Sequence, residues 1–339
     1  MSSEIKLTPM LQQYLEIKEQ YTDAILFFRM GDFYEMFFED AVTASRVLGI
    51  TLTSRNSKSD KDKIPLCGVP YHAVTGYLAK LVQAGFKVAI CEQVEDPSLA
   101  QGIVKREVVR VVTPGLITDE QLLDDKSNCY IASLKKSGHG RQGNTWGLSF
   151  LDLSTGEFLT AEFSSIHELI DELARMAPSE LLLQDSFFTE NAGLDKEIKQ
   201  LLELIDQFLP KACLTQRADS KFQHESARET LLEHFNTVNL AGFGCDTMRA
   251  GISAAGALLD YIQETQKTNI SHIEKITPVD LSGVLIIDDS SRRNLEITQT
   301  IVGTSRDGSL LATLDFTRTP MGARLLKKKR YRGPCPDTT

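Results

Sequence analysis

The sequence predicts an α/β protein of more than one domain, and three observations carry that prediction. A chain of 339 residues, 42% hydrophobic and 24% charged, exceeds what one ordinary compact core takes up. Short runs dense in β-branched and aromatic residues alternate irregularly with stretches of helical periodicity. The pattern also restarts after a polar, acidic stretch, "GLITDEQLLDDKSN".

The first unit is read over residues 1–115. Thr8 caps and Pro9 opens a helix whose Met10, Leu11, Tyr14, Leu15 and Ile17 stand at near-helical spacing. "AILFFRM" and "DFYEMFF" read as two aromatic-rich β runs interrupted at Gly31. "EDAVTASRVLG" is a helix closed by Gly49, and "SRNSKSDKDK" (Ser54–Lys63) is unpatterned and polar, so a mobile surface loop. "HAVTGYLAKLVQAG" is an amphipathic helix ending at Gly85, followed by a buried strand, "KVAICEQV", and a further strand, "VVRVVTP". Residues 116–128 are a linker.

The second unit spans 129–267. "CYIASLKK" and "WGLSFLDLSTGEFLTAEF" give three strands in meander, "SIHELIDELARM" a helix, and "SELLLQD" a buried strand. Its last helix is "FGCDTMRAGISAAGALLDYIQETQ", whose small residues allow close packing. Residues 268–339, with "VLIIDDSSRRNLEI" and "LLATLDFTRTPMGARLL", are too few for an independent domain and read as the first part of a third. There is no internal repeat at periods of 20–50 residues.

Bulk properties exclude several classes. Nothing approaches the roughly 18 apolar residues needed to cross a bilayer. "MSSEIKLTPM" also lacks the layout of a signal peptide, so a soluble, cytoplasmic chain without membrane partners is expected. The six cysteines form no C-x-x-C pair and the six histidines no H-E-x-x-H, which predicts free thiols and no metal site. The net charge of −9 does not decide against nucleic acid, because only the contacting face must be basic.

Most local motifs favour structural readings. Asp152 in "LDLSTG" sits where some nucleases hold a metal, but no partner carboxylate is apparent at a comparable strand end. "IIDDSSRRN" reads as a salt-bridged turn, and "CGVPYH", with Cys67 and His72, as a tight turn with a packed histidine. No G-x-x-x-x-G-K-[ST] occurs, so the chain has no Walker A phosphate loop and no catalytic residues are assigned.

"FFRMGDFYEMFFEDA" is different. In a strand Phe33, Glu35 and Phe37 share one face while Tyr34, Met36 and Phe38 share the other. One face can be core; the other then presents a ring with a carboxylate about 7 Å along the strand. From the pattern alone, the favoured reading is a half-buried strand whose Glu35 snorkels or pairs with an arginine such as Arg29.

"RMGDFYEMFFEDA", "PLCGVPYHAVTGYLAKLVQAGFKVAICEQVEDP" and "VVRVVTPG" together resemble the bacterial DNA mismatch repair family MutS. The likeness runs in family order through "SRRNLEITQT" and "LDFTRTPMGARLLK", from about Thr8 to Lys327. It implies a mixed α/β mismatch-binding domain, then an RNase H-like α/β connector without that enzyme's active site, then the beginning of a helical core (lever) domain. It also implies that Phe33 stacks on a mispaired base from the minor groove while Glu35 hydrogen-bonds it, with Met30, Gly31 and Asp32 as the presenting turn. Against a purine N7, itself an acceptor, Glu35 would have to carry a proton.

The implied partners are double-stranded DNA with mismatches or small loops and a MutL-type repair protein, with a homodimer in full-length relatives and action at the bacterial nucleoid. ATP and Mg²⁺ belong to the full-length family, and no cofactor is expected for this chain. After Lys327 "KKRYRGPCPDTT" departs from the family pattern, and a frameshift, a split gene or a truncation would each produce that. The alternative expectation is an interaction fragment whose connector docks repair partners without strong DNA binding of its own.

Overall fold

The computed structural model describes residues 8–55, 64–95, 104–116, 126–138, 144–189, 195–266, 270–279, 284–285, 287, 289–302, 305–331 and 333–334. By spatial contact these form two units, Met1–Leu122 with Gln263–Asn269, and Leu123–Ile262 with Ile270–Thr339. Most of the expected linker and most of the expected loop at Ser54–Lys63 lie outside the described residues.

In the first unit the Thr8 side chain accepts from Leu11 N, and Pro9 opens α1 (Pro9–Gln20). β1 (Ala24–Met30) and β2 (Phe33–Phe37) follow, then α2 (Phe38–Leu48), which ends on Gly49 at φ 69°. β3 (Thr53–Arg55) pairs with β4 (Ile64–Pro70), so Ser54 and Arg55 belong to a strand and not to the predicted loop. α3 (Val74–Gln83), β5 (Lys87–Gln93) and β6 (Arg106–Val112) complete a six-stranded mixed sheet of order β3-β4-β2-β1-β5-β6.

Helices cover both faces of this sheet. Ile25, Phe27, Tyr34, Met36, Val69, Val88 and Ile90 pack under α2 and α3, against Ala41, Ala44, Leu78 and Leu81. Leu26, Phe28, Phe37, Cys91 and Val108 pack under α1, against Leu11 and Tyr14. The Tyr14 ring meets Phe28 and Phe37 edge-on at 5.5 and 5.0 Å. Buried Asp40 ties three elements together, accepting from Tyr14 Oη (3.0 Å), Lys18 Nζ (2.9 Å) and Leu26 N (2.9 Å).

Two sequence expectations change here. Phe37 does share the Phe33–Glu35 face, yet it is fully buried because α1 covers that end of the strand. Phe38 is not on the opposite face. It has left the strand at φ 54°, and its ring turns toward Tyr14 at 6.1 Å.

The second unit opens with the meander β7 (Tyr130–Ser137), β8 (Thr145–Asp152) and β9 (Glu157–Phe163). α4 (Ile166–Met176), β10 (Glu180–Gln184), α5 (Lys196–Phe208), β11 (Cys213–Arg217), α6 (His224–His234), α7 (Arg249–Gln266) and β12 (Ile276–Pro278) follow. The sheet order is β11-β10-β7-β8-β9-β12, with β10 parallel to β7 and β11. This is the RNase H-like arrangement of an antiparallel meander extended by parallel strands. α4 and α5 cover one face around Trp146, Leu148, Phe150, Leu173 and Leu201.

On the other face Gly147 admits the backbone of α7. A Cβ at Gly147 would lie 2.0 Å from Ala250 O, so only glycine fits there. The predicted last helix starts at Arg249, not at Phe243, because Ala241–Phe243 form a separate short turn.

The remaining elements are β13 (Val284–Leu285), α8 (Asp289–Asn294), α9 (Leu310–Leu314), α10 (Pro320–Tyr331) and β14 (Gly333–Pro334). "DSSRRN" is thus a helix where a turn was expected, with Arg292 donating to Ala174 O at 3.1 Å. No helix among the described residues is long and apolar enough to cross a membrane.

Candidate functional site

β1 and β2 form a hairpin in which Met30 faces Phe33 across two residues, Gly31 and Asp32. Gly31 sits at φ 57°, a conformation that favours glycine at the first position of a tight hairpin turn. The turn is tied sideways, since Tyr71 N donates to Asp32 O at 2.9 Å. Met30, Gly31, Asp32 and Phe33 therefore stand together at one end of the sheet.

Phe33 is 48% exposed, whereas Tyr34, Met36 and Phe37 are buried. Glu35 is half-buried, with Phe28 opposite on β1 and Gly68 opposite on β4. Phe33 has Pro70 as its β4 neighbour. A Cβ on Gly68 would meet Glu35 Cγ at 3.6 Å and Tyr34 O at 3.3 Å, so its absence leaves room beside the carboxylate. The structure thus places Phe33 and Glu35 side by side on one face, beyond the part of it that α1 covers.

Arg29 does not share this face. Its guanidinium lies over the Tyr71 ring at 3.9 Å and the Tyr34 ring at 5.4 Å, and 3.9 Å from Glu92. The strand alternation therefore turns Arg29, the arginine named as a candidate partner, away from Glu35. Tyr34 donates to Glu92, and burial together with that bond pushes its phenol up to about 12. His72 is exposed and meets Tyr71 edge-on at 5.9 Å, so it is not the packed histidine expected.

Sequence reasoning missed Arg106. Its side chain reaches the hairpin, donating from Nε to Arg29 O at 2.8 Å and lying 3.7 Å from Met30 Sδ. A signal existed. In "REVVRVV" Arg106 alternates with Val108 on the inward side, an unusual place for a cation.

Chemically, the hairpin offers an exposed ring with a carboxylate beside it. That combination suits stacking and hydrogen-bond acceptance, not bond cleavage. No group of three or more potential metal ligands occurs among the described residues.

Asp152 has an acidic neighbour that the sequence reading overlooked: Glu157 is its register partner on β9. Both acids are already engaged. Asp152 accepts from Ser154 N (2.9 Å), Ser154 Oγ (2.6 Å) and Asn128 Nδ2 (2.7 Å), and Glu157 from Tyr130 Oη (2.6 Å) and Lys328. Burial opposes ionisation of Glu157, yet the Lys328 and Tyr130 hydrogen bonds hold it below the usual range. Incubation with Mg²⁺ or Mn²⁺ should therefore leave DNA and RNA–DNA hybrids intact. Asp152→Asn should lower stability by about 1–3 kcal/mol, because its amide would face donors. Metal-dependent cleavage that disappears in Asp152→Asn would overturn this reading.

Residues 8–121 match the family model for MutS domain I, 129–274 that for MutS domain II, and 290–329 that for MutS domain III. The chain is 48% identical over 326 residues to the DNA mismatch repair protein MutS of Alkaliphilus oremlandii, covering 95% of this chain and 36% of the relative. It is 45% identical over 322 residues to that of Lachnoclostridium phytofermentans, covering 95% and 33%. A third relative, from Desulfatibacillum aliphaticivorans, is 48% identical over 322 residues, covering 95% and 34%. The chain spans about a third of the length of these curated relatives.

Proposed function

The chain belongs to the MutS family, and on that footing we propose that it binds mismatched double-stranded DNA through the β1–β2 hairpin, Phe33 entering the minor groove and Glu35 hydrogen-bonding the displaced base. One observation carries the reading: in the unit that matches MutS domain I, Phe33 stands out of the sheet at 48% exposure beside Glu35. Inserting an apolar wedge unstacks a base step at a cost of about a few kcal/mol, least where pairing is already defective. Discrimination then comes from deformability and not from sequence readout.

Titrating fluorescent homoduplex and G·T duplex with the chain tests this. Tighter binding of the G·T duplex is expected. Equal affinities would favour the alternative, in which the connector serves as a docking surface for a MutL-type partner.

Glu35 sets the preference more than the affinity. An ionised carboxylate facing a polyanion is a cost on every duplex, offset only where a displaced base offers a hydrogen bond. Glu35→Gln should tighten homoduplex binding by about 1 kcal/mol at low salt and change mismatch binding less, so the affinity ratio falls toward one. Equal losses on both duplexes would instead make Glu35 structural.

A further inference from the structure

The hairpin strand β1 runs two residues beyond its last pair with β5, which itself continues to Gln93. Its parallel pairing with β5 runs from Ala24↔Lys87 to Phe28↔Cys91 and stops there. Arg29 and Met30 continue past it, and they are the residues that lead into the turn and Phe33. Past the last pair, a carbonyl on that side of β1 lacks a β5 ladder partner and needs another donor.

Arg106 fills that gap from two strands away. Its backbone pairs with Gln93 on β5, and its side chain crosses to β1, where Nε donates to Arg29 O at 2.8 Å. Nη1 donates to Gln13 Oε1 on α1 at 3.0 Å and to Val104 O at 2.9 Å. Nη2 lies 3.7 Å from Met30 Sδ, and the guanidinium stands 4.9 Å from the centre of the Phe28 ring. The planar fork thus reaches α1, the start of β6 and the outer end of β1 at once.

The electrostatics single this residue out. Arg106 is 8% exposed, and no carboxylate among the described residues is ion-paired with it. Burial pulls its pKa down from the usual value, with Cys91 opposing. A buried cation held by carbonyls, an amide, a thioether and a ring is an expensive way to fill space, since a hydrophobic residue would pack there at less cost. Its geometry, however, is one that neither lysine nor an apolar side chain reproduces.

We propose that Arg106 is a positioning residue for mismatch recognition: its guanidinium takes up Arg29 O where the β1–β5 pairing has ended and fixes the outer end of β1, and with it the position of Phe33. This rests on the reading of the hairpin given above. Arg106 need not touch DNA for the effect.

The test is a double-mutant cycle on the full chain, with Arg106→Lys, Phe33→Ala and the pair, titrated against homoduplex and G·T duplex with melting curves alongside. Arg106→Lys keeps the charge but loses the fork. It should leave homoduplex affinity unchanged and lower the mismatch preference roughly fivefold or more. In the Arg106→Lys background, Phe33→Ala should then cost much less than in wild type.

Full additivity of the two substitutions would overturn the proposal. So would a retained preference in Arg106→Lys alongside a weaker salt dependence in Arg106→Gln, the signature of a phosphate contact. If Phe33→Ala alone leaves mismatch binding unchanged, the reading of the hairpin has failed, and the positioning role falls with it. If Phe33→Ala weakens binding and Arg106→Lys does not, only the role of Arg106 has failed.

Discussion

Phe33→Ala should weaken binding to a G·T duplex by roughly 1–3 kcal/mol, the usual worth of a base–aromatic stack, or about fivefold to hundredfold in Kd. Homoduplex affinity should change far less, because the intact duplex resists insertion and the ring contributes little there. The fold should be almost unaffected. With about half of its surface already exposed, Phe33 gives up only part of a ring's burial, and the variant should lose no more than about 1 kcal/mol of stability. The decisive measurement is the pair of titrations run beside a thermal melt. A variant that unfolds while any residual binding keeps its preference would show that Phe33 is a core residue.

Four residues on and on the same face of the same strand, the opposite result is expected. Phe37 is fully buried, edge-on to Tyr14 at 5.0 Å and inside the cluster with Leu26, Phe28 and Cys91. Phe37→Ala removes that ring and leaves a cavity under α1, at a cost of about 3–5 kcal/mol. Against total stabilities of about 5–15 kcal/mol this is enough to loosen the whole first unit. Chemical denaturation should show a large drop in midpoint, and DNA binding should be lost on homoduplex and mismatch alike. Phe37→Leu, which refills much of the volume, should recover most of both. A well-folded Phe37→Ala with intact core would contradict the placement of α1 over this end of β2.

The contrast between these two phenylalanines also shows what could be read from the residues. Alternation puts Phe33, Glu35 and Phe37 on one face, and the register against Phe28 and Gly68 places them so. What alternation cannot give is where a helix ends above that face. α1 stops short of Phe33 and covers Phe37, a tertiary fact set by contacts such as Tyr14 on Phe28. Local pattern likewise gave no warning that Phe38 leaves the strand, because a left-handed φ on a phenylalanine is costly and rare.

Register explains the other gaps. Asp152 meets Glu157 only because β8 and β9 pair as they do. Arg106 reaches Arg29 across 77 positions of sequence, beyond any local reading. The meander of the second unit was legible because its strands are long and a short turn joins β8 to β9. The first unit needed more. Its parallel pairing of β1 with β5 is a crossover that no spacing announces.

The sideways tie between Tyr71 N and Asp32 O has a mechanical consequence. It makes the tip of the hairpin and the end of β4 a single three-stranded blade. A ring carried on a compliant loop would be deflected by the base step it meets, and the loop would absorb the work of insertion. If Phe33 enters a duplex as proposed, the load on it passes along β1, β2 and β4 into the sheet. The softer body is then the duplex, and a mispaired step is its softest point. On that proposal, stiffness in the protein would be converted into a measurement of compliance in the DNA.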